Sequence, residues 1–333
     1  MVKNMKKVIF SGTKPSGDLT LGNYIGALKN WVKLQDDYDC FYCSVDLHAI
    51  TVMQNPSDLR RRTLEVLAIF MASGIDPLKS CLFIQSHVVA HAEAQWLLNC
   101  YTHMGELTRM TQFKEKVQKS EGSIGAGLLN YPILMAVDIL LYNADLVPVG
   151  EDQKQHIELT RDLAQRFNSI YSPTFKIPEA YIEKNGRRVM DLQNPEIKMS
   201  KSEENSNGYI LIMDPKDIIK KKISRAVTDS FGVVRYREEQ PGIRNLIEIY
   251  SALTGKTYEE IEKEFEGLGY GVFKEQVGEA ICNTLEPIQE RTKMYLDDKT
   301  FLEKVYREGA EKASYVANKT LNKMKKKIGL VLK

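Results

Sequence analysis

The sequence predicts an α/β fold: a parallel sheet with helices on both faces in the first half, followed by an all-helical second half. Three observations carry this. The 333 residues exceed what one hydrophobic core usually organises, so two structural units are expected. Short β-prone runs alternate with amphipathic helical stretches through the first half, the pattern of strands joined by helical crossovers. From residue 214 onward strand signals fade and helical periodicity takes over. A composition of 43% hydrophobic and 27% charged residues excludes disordered and collagen-like classes. The net charge of +2 gives no bulk positive field, so any RNA partner has to be met by local patches.

The elements follow in order. Residues 7–11 (KVIFS) form a short strand, and residues 22–35 carry helical spacing at Ile25, Leu28, Val32 and Leu34. Residues 40–46 (CFYCSVD) are β-prone. Asn55 then offers an N-cap with Pro56 at the first helical position; Leu59, Leu64, Leu67 and Met71 continue that helix until Gly74 stops it. Residues 81–85 (CLFIQ) are the next strand. A strand-like run at 146–149 precedes a helix containing Gln155, Leu159 and Leu163. In the second half helical patterns cover 215–227, 242–253, 258–265 and the chain from 272 to its end.

The start is basic, but only Val8, Ile9 and Phe10 follow before Ser11 and Gly12, fewer than the roughly seven apolar residues of a signal peptide. The apolar run at 128–142 is interrupted by Asn130, Pro132 and Asp138 and falls short of the roughly 20 residues of a membrane span. Five scattered cysteines predict a reduced, cytoplasmic protein that does not enter a membrane. Cys40 and Cys43 have zinc or redox spacing without a second pair, and read as core. His87 and His91 lack the glutamate of the metalloprotease motif and read as a solvated helix start, so no metal site is expected.

Two stretches point to phosphate chemistry. Residues 11–17 (SGTKPSG) and 20–26 (TLGNYIG) link the first strand to a helix opening at Gly22, the place in a parallel sheet where anions settle. Gly12, Gly17 and Gly22 permit close backbone approach, and Asn23 can donate to a phosphate or ribose. Neither Walker nor dinucleotide spacing is present, so these residues alone fit a nucleotide site and a tight loop equally. Residues 198–202 (KMSKS) place two lysines three apart among hydroxyls, in a polar loop able to close over a triphosphate. Alone such a loop is a solvated turn; paired with the glycine-rich loop it indicates a nucleotide enzyme.

A third feature is apolar. At helical spacing Tyr131, Met135 and Asp138 share one face, and Asp138 is the single charge between residues 128 and 142. A buried lone carboxylate is costly unless something donates to it. The residue therefore reads as a ligand contact, a structural hydrogen bond or a solvated helix edge.

Residues 20–23 (TLGN) resemble the degenerate HIGH signature, and residues 198–202 the full KMSKS signature, of class I aminoacyl-tRNA synthetases. Over nearly its whole length the chain resembles the bacterial tryptophanyl-tRNA synthetase family, through GNYIG at 22–26, HAIT at 48–51, MTQFKEK at 110–116, VPVGEDQKQH at 147–156 and AVTD at 226–229. The resemblance implies a Rossmann-like catalytic domain at 1–195, a mobile KMSKS loop at 196–208 and a helical anticodon-binding domain at 209–333. It implies ATP-dependent activation of L-tryptophan and transfer to tRNA(Trp), with Mg²⁺ accompanying ATP, by a homodimer. Catalytic roles would fall on Thr20, Asn23, Lys116, Lys198 and Lys201. ATP contacts would fall on Lys14, Pro15, Ser16, Gly22, Asn23, Gly150, Glu151, Asp152, Val189, Lys198, Met199, Ser200, Lys201 and Ser202. Asp138 would accept the indole N–H, Phe10, Gly12, Met135, Val147 and Val149 would wall the ring, and Tyr131 and Gln153 would hold the head group beside His48. Lys14 departs from relatives that often carry Gln or Arg. For RNA, the basic helix at 216–225 and the lysine-rich 312–333 are candidate phosphate contacts. The rival readings are the sister enzyme for tyrosine and a non-catalytic RNA-binding paralogue.

Overall fold

The computed structural model describes residues 6–118, 123–181, 188–201 and 205–332; Ser202 lies outside them. Among the described residues five parallel strands form one sheet: β1 (Val8–Thr13), β2 (Asp39–Ser44), β3 (Cys81–Ile84), β4 (Leu146–Pro148) and β5 (Glu179–Tyr181), in the order β3-β2-β1-β4-β5. The register pairs Ile9 with Cys40 and Phe41 with Cys81, so alternate residues point to opposite faces. Ile9, Cys40, Tyr42 and Leu82 join one core, and Phe10, Phe41, Cys43 and Phe83 the other. The thiols of Cys40 and Cys43 thus lie on opposite sides of the sheet as core residues.

The helix Pro56–Ala72 begins as its sequence dictates: the Asn55 side chain accepts from Ser57 N at 3.0 Å and Asp58 N at 3.3 Å, and Gly74 follows with φ +110°. The opening helix is less regular. A turn at Leu21–Asn23 widens into a π-helical segment at Tyr24–Leu28 before α-helix resumes at Lys29–Leu34. Such bulges recur at functional sites.

The second half is helical as expected, over Lys216–Ser224, Pro241–Thr254, Tyr258–Glu264, Tyr270–Asp297 and Lys299–Ile328. The pattern from 272 onward divides at Asp298, whose carboxylate accepts from Phe301 N at 3.0 Å and caps the last helix. That last helix packs on β3: Ala310, Ala313, Ala317, Leu321 and Met324 belong to the same core as Phe41 and Phe83. The helical region therefore shares both cores with the sheet, Ile243, Leu246 and Phe273 joining the core of Ile9 and Tyr42. Among the described residues no helix is long and apolar enough to cross a membrane.

Candidate active site

A cavity of ≈ 590 Å³ opens at the carboxyl ends of β1 and β4. β1 pairs with β2 on one side and β4 on the other, so the cavity occupies the crevice where the strand order reverses. Phe10, Gly12, Met135, Val147 and Val149 line it around Asp138; Tyr131, Gln153 and His48 line its middle; Lys14, Ser16, Thr20, Asn23, Lys116, Gly150, Asp152, Lys198, Met199, Ser200 and Lys201 line the remainder. Helix Ala126–Leu140 delivers Tyr131, Met135 and Asp138 on one face, as their spacing predicts.

Of the expected ATP contacts, Pro15, Gly22 and Val189 stand outside the lining. Pro15 is buried in the first loop. Gly22 and Val189 back the wall: a Cβ on Gly22 would lie 3.6 Å from Val189 Cβ and 3.8 Å from Met199 Cβ, and Met199 N donates to Val189 O at 3.0 Å. They hold Met199 against the opening helix. Glu151 opens the short 3-10 turn Glu151–Gln153, between the lining residues Gly150 and Asp152.

Asp138 is 2% exposed, which overturns the solvated-edge reading. Its Oδ1 accepts from Gln85 Nε2 at 2.7 Å and faces His91 Nδ1 at 2.6 Å; its Oδ2 faces His48 Nε2 at 2.8 Å. Burial pushes this carboxyl up, but the His48 and His91 hydrogen bonds outweigh it and hold the group below the usual carboxylate range. His91 corrects the sequence reading: it is fully buried, not a solvated helix start, because a buried carboxylate draws in donors. Gln85 is oriented in turn, its Oε1 accepting from Leu47 N at 3.1 Å. The family resemblance places His48 at this site, but nothing in the sequence points to Gln85 or His91; the lone charge in an apolar helix is the signal to seek donors.

The Tyr131 hydroxyl donates to Gln112 Oε1 at 3.1 Å and lies 3.0 Å from His156 Nε2. Burial, then the Lys116 charge, lowers the His156 ring to about 4, so it is neutral at ordinary pH. Lys116 Nζ sits 4.7 Å from the Tyr131 ring centroid. His156 and Gln112 were seen in the sequence only as members of longer matching stretches.

Cations converge on the same cavity. Burial, then Lys116, lowers Lys14, whose Nζ donates to Thr51 Oγ1 at 3.4 Å. Burial likewise lowers Lys116, and burial followed by Arg62 lowers Lys201 to about 8. Lys198 Nζ lies 3.6 Å from Asp152 Oδ1. Partly dehydrated cations facing one another are unfavourable until an anion arrives, so this end can take an anionic ligand. The tip of Lys201 lies where a Cβ on Gly17 would be, so this glycine makes its seat. Thr20 and Asn23 cap each other: Thr20 N donates to Asn23 Oδ1 at 2.8 Å and Asn23 N to Thr20 Oγ1 at 3.3 Å, leaving the Asn23 amide for the cavity.

Comparison with known proteins agrees with this geometry. The family model for class I tRNA synthetases (W and Y) matches residues 3–286. A tryptophan–tRNA ligase of Clostridium tetani is 69% identical over 99% of this chain and 98% of its own. The chain belongs to the class I tRNA synthetases for tryptophan and tyrosine. Among solved structures this synthetase is similar to the tryptophanyl-tRNA synthetase of Mycoplasma pneumoniae, with a TM-score of 0.92 and 37% identity over 98% of this chain and 99% of that one. It is also similar to that of Campylobacter jejuni complexed with ADP and tryptophan, at a TM-score of 0.84 and 34% identity over 97% and 100% of the two chains.

Proposed function

We propose that this synthetase activates L-tryptophan with ATP and transfers it to tRNA(Trp). The observation that carries the reading is one cavity with an anchored carboxylate in an apolar end and converging lysines at the other. Asp138 would accept the indole N–H while Phe10, Met135, Val147 and Val149 enclose the ring. Tyr131 and Gln153 would hold the amino-acid head group. The tryptophan carboxylate then attacks the α-phosphorus; a P–O bond forms as the bond to the bridging oxygen breaks, and pyrophosphate leaves with the electron pair. Lys14, Lys116, Lys198 and Lys201 would neutralise the charge that develops, with the Thr20–Asn23 pair at the nucleotide. In the second step a hydroxyl of the tRNA's terminal ribose attacks the acyl carbon and AMP departs.

Mg²⁺ would enter as the counter-ion of ATP. Among the described residues no three His, Cys, Asp or Glu side chains are grouped to hold a metal, whereas phosphate oxygens suit this ion. A cytoplasmic homodimer completes the proposal.

The test is amino-acid-dependent pyrophosphate exchange with tryptophan, tyrosine and phenylalanine, for wild type and Asp138→Ala. Exchange with tryptophan alone is expected. In the variant kcat/KM for tryptophan should fall about 10- to 100-fold, the cost of one charge-assisted hydrogen bond. Exchange with tyrosine would move the assignment to the sister enzyme.

A further inference from the structure

Asp138 is gripped from outside the cavity. Gln85 and His91, which do not line it, take Oδ1, while His48, which does, takes Oδ2. Behind His91 the fully buried Tyr142 hydroxyl lies 2.8 Å from Nε2. The Tyr142 phenol is pushed well above its ordinary range by burial, and so stays protonated. With the Tyr142 hydroxyl at Nε2, the ring aims a proton on Nδ1 at the carboxylate. The opposite tautomer would set the Nδ1 lone pair against an anion 2.6 Å away. His91 therefore donates from Nδ1 to Asp138, with the Tyr142 hydroxyl against its other nitrogen. Tyr142 is itself fixed, stacked on the cavity-lining Phe10 at 5.4 Å between centroids and packed against Phe41 at 4.7 Å.

We infer that His91, with Tyr142 behind it, is a positioning residue for tryptophan specificity: it locks Asp138 so that Oδ2 is presented to the indole N–H. This rests on the proposed reading of Asp138 as the indole acceptor. With Oδ1 held from outside the cavity the carboxylate cannot swing away from the ring, and Oδ2 takes the indole N–H beside His48, so the site distinguishes an N–H from an isostere that lacks it.

The experiment is pyrophosphate exchange with tryptophan and with 3-(benzothiophen-3-yl)alanine, in which sulfur replaces the indole N–H, for wild type, His91→Leu, His91→Asn and Tyr142→Phe. Wild type should prefer tryptophan. In His91→Leu the ratio of kcat/KM values should fall about ten-fold, with the KM for ATP unchanged. His91→Asn, whose amide can stand in for Nδ1–H, should keep most of the preference, and Tyr142→Phe should lose part of it. A parallel fall for both amino acids in His91→Leu, with the ratio preserved, would mean a merely structural role and overturn the inference. Should His91→Leu fail to fold, Tyr142→Phe carries the test, and an unchanged ratio there overturns it. A wild type indifferent to the sulfur analogue would instead remove Asp138 as the indole acceptor, and the inference with it.

Discussion

Lys201 in the cavity wall and the buried His156 behind Tyr131 make the protein's pH behaviour predictable. Lys201, lowered to about 8, loses its charge as pH rises past that value, whereas bound phosphate favours the charged form. ATP binding must then take up a proton, so the KM for ATP should climb between pH 7 and pH 9.5. In Lys201→Arg, whose guanidinium does not titrate there, the profile should flatten. His156 acts on stability. Its ring is lowered from 6.5 to about 4 in the fold, so below pH 6.5 the unfolded chain binds the extra proton. The stability it contributes is full above pH 6.5 and is lost as pH falls toward 4. Thermal melts across that window should show a steeper acid loss in wild type than in His156→Asn; equal slopes would refute the assignment. Neither shift was legible in the sequence, because both come from burial and from Lys116 or Arg62, which the chain brings close only on folding.

At the scale of elements, two glycines mark close approaches of different kinds. On helix Lys299–Ile328 a Cβ at Gly309 would overlap the Leu82 carbonyl oxygen in β3, and backbone cannot step aside cheaply. Gly309→Ala should cost about 1–3 kcal/mol, read as a lower urea midpoint, while exchange per folded molecule stays as it was. Gly17 meets only the flexible end of Lys201. Gly17→Ala should leave the melting temperature nearly unchanged but slow tryptophan-dependent exchange, since the lysine loses its seat. The helix cap at Asn55–Pro56 could be read directly, as caps depend on neighbouring residues. The break at Asp298 could not: apolar periodicity continues across it, and one capping carboxylate divides two long helices.

Across the whole molecule, the lysines expected to meet RNA divide their loyalties. Lys325 pairs with Glu93, Lys323 Nζ donates to Thr174 O at 3.4 Å, and Lys327 Nζ donates to Ser172 O at 3.0 Å and Pro173 O at 2.8 Å. In helix Lys216–Ser224, Lys220 pairs with Glu279 and Lys222 with Asp214 at 2.7 Å. Much of this charge ties the helical region to itself and to a helix and a loop of the first half. The KM for tRNA should still rise with salt, as in any binding through phosphates, and pyrophosphate exchange, which needs no tRNA, should respond far less. Equal salt sensitivity of the two reactions would place the effect in the nucleotide site.

The strand–helix alternation, the glycine-rich loop, the lysine pair at 198 and 201, and the face that carries Tyr131, Met135 and Asp138 are legible along the chain, since each depends on residues within a few turns of one another. What donates to Asp138 and where the last helix lies emerge from packing. His48 comes from one segment and Gln85 and His91 from another, both distant in the chain from Asp138, and Gly309 meets β3 across more than two hundred residues. Spacing along the chain encodes a periodic face; the partners of a buried charge are set by which segments pack against it, and burial makes those partners obligatory.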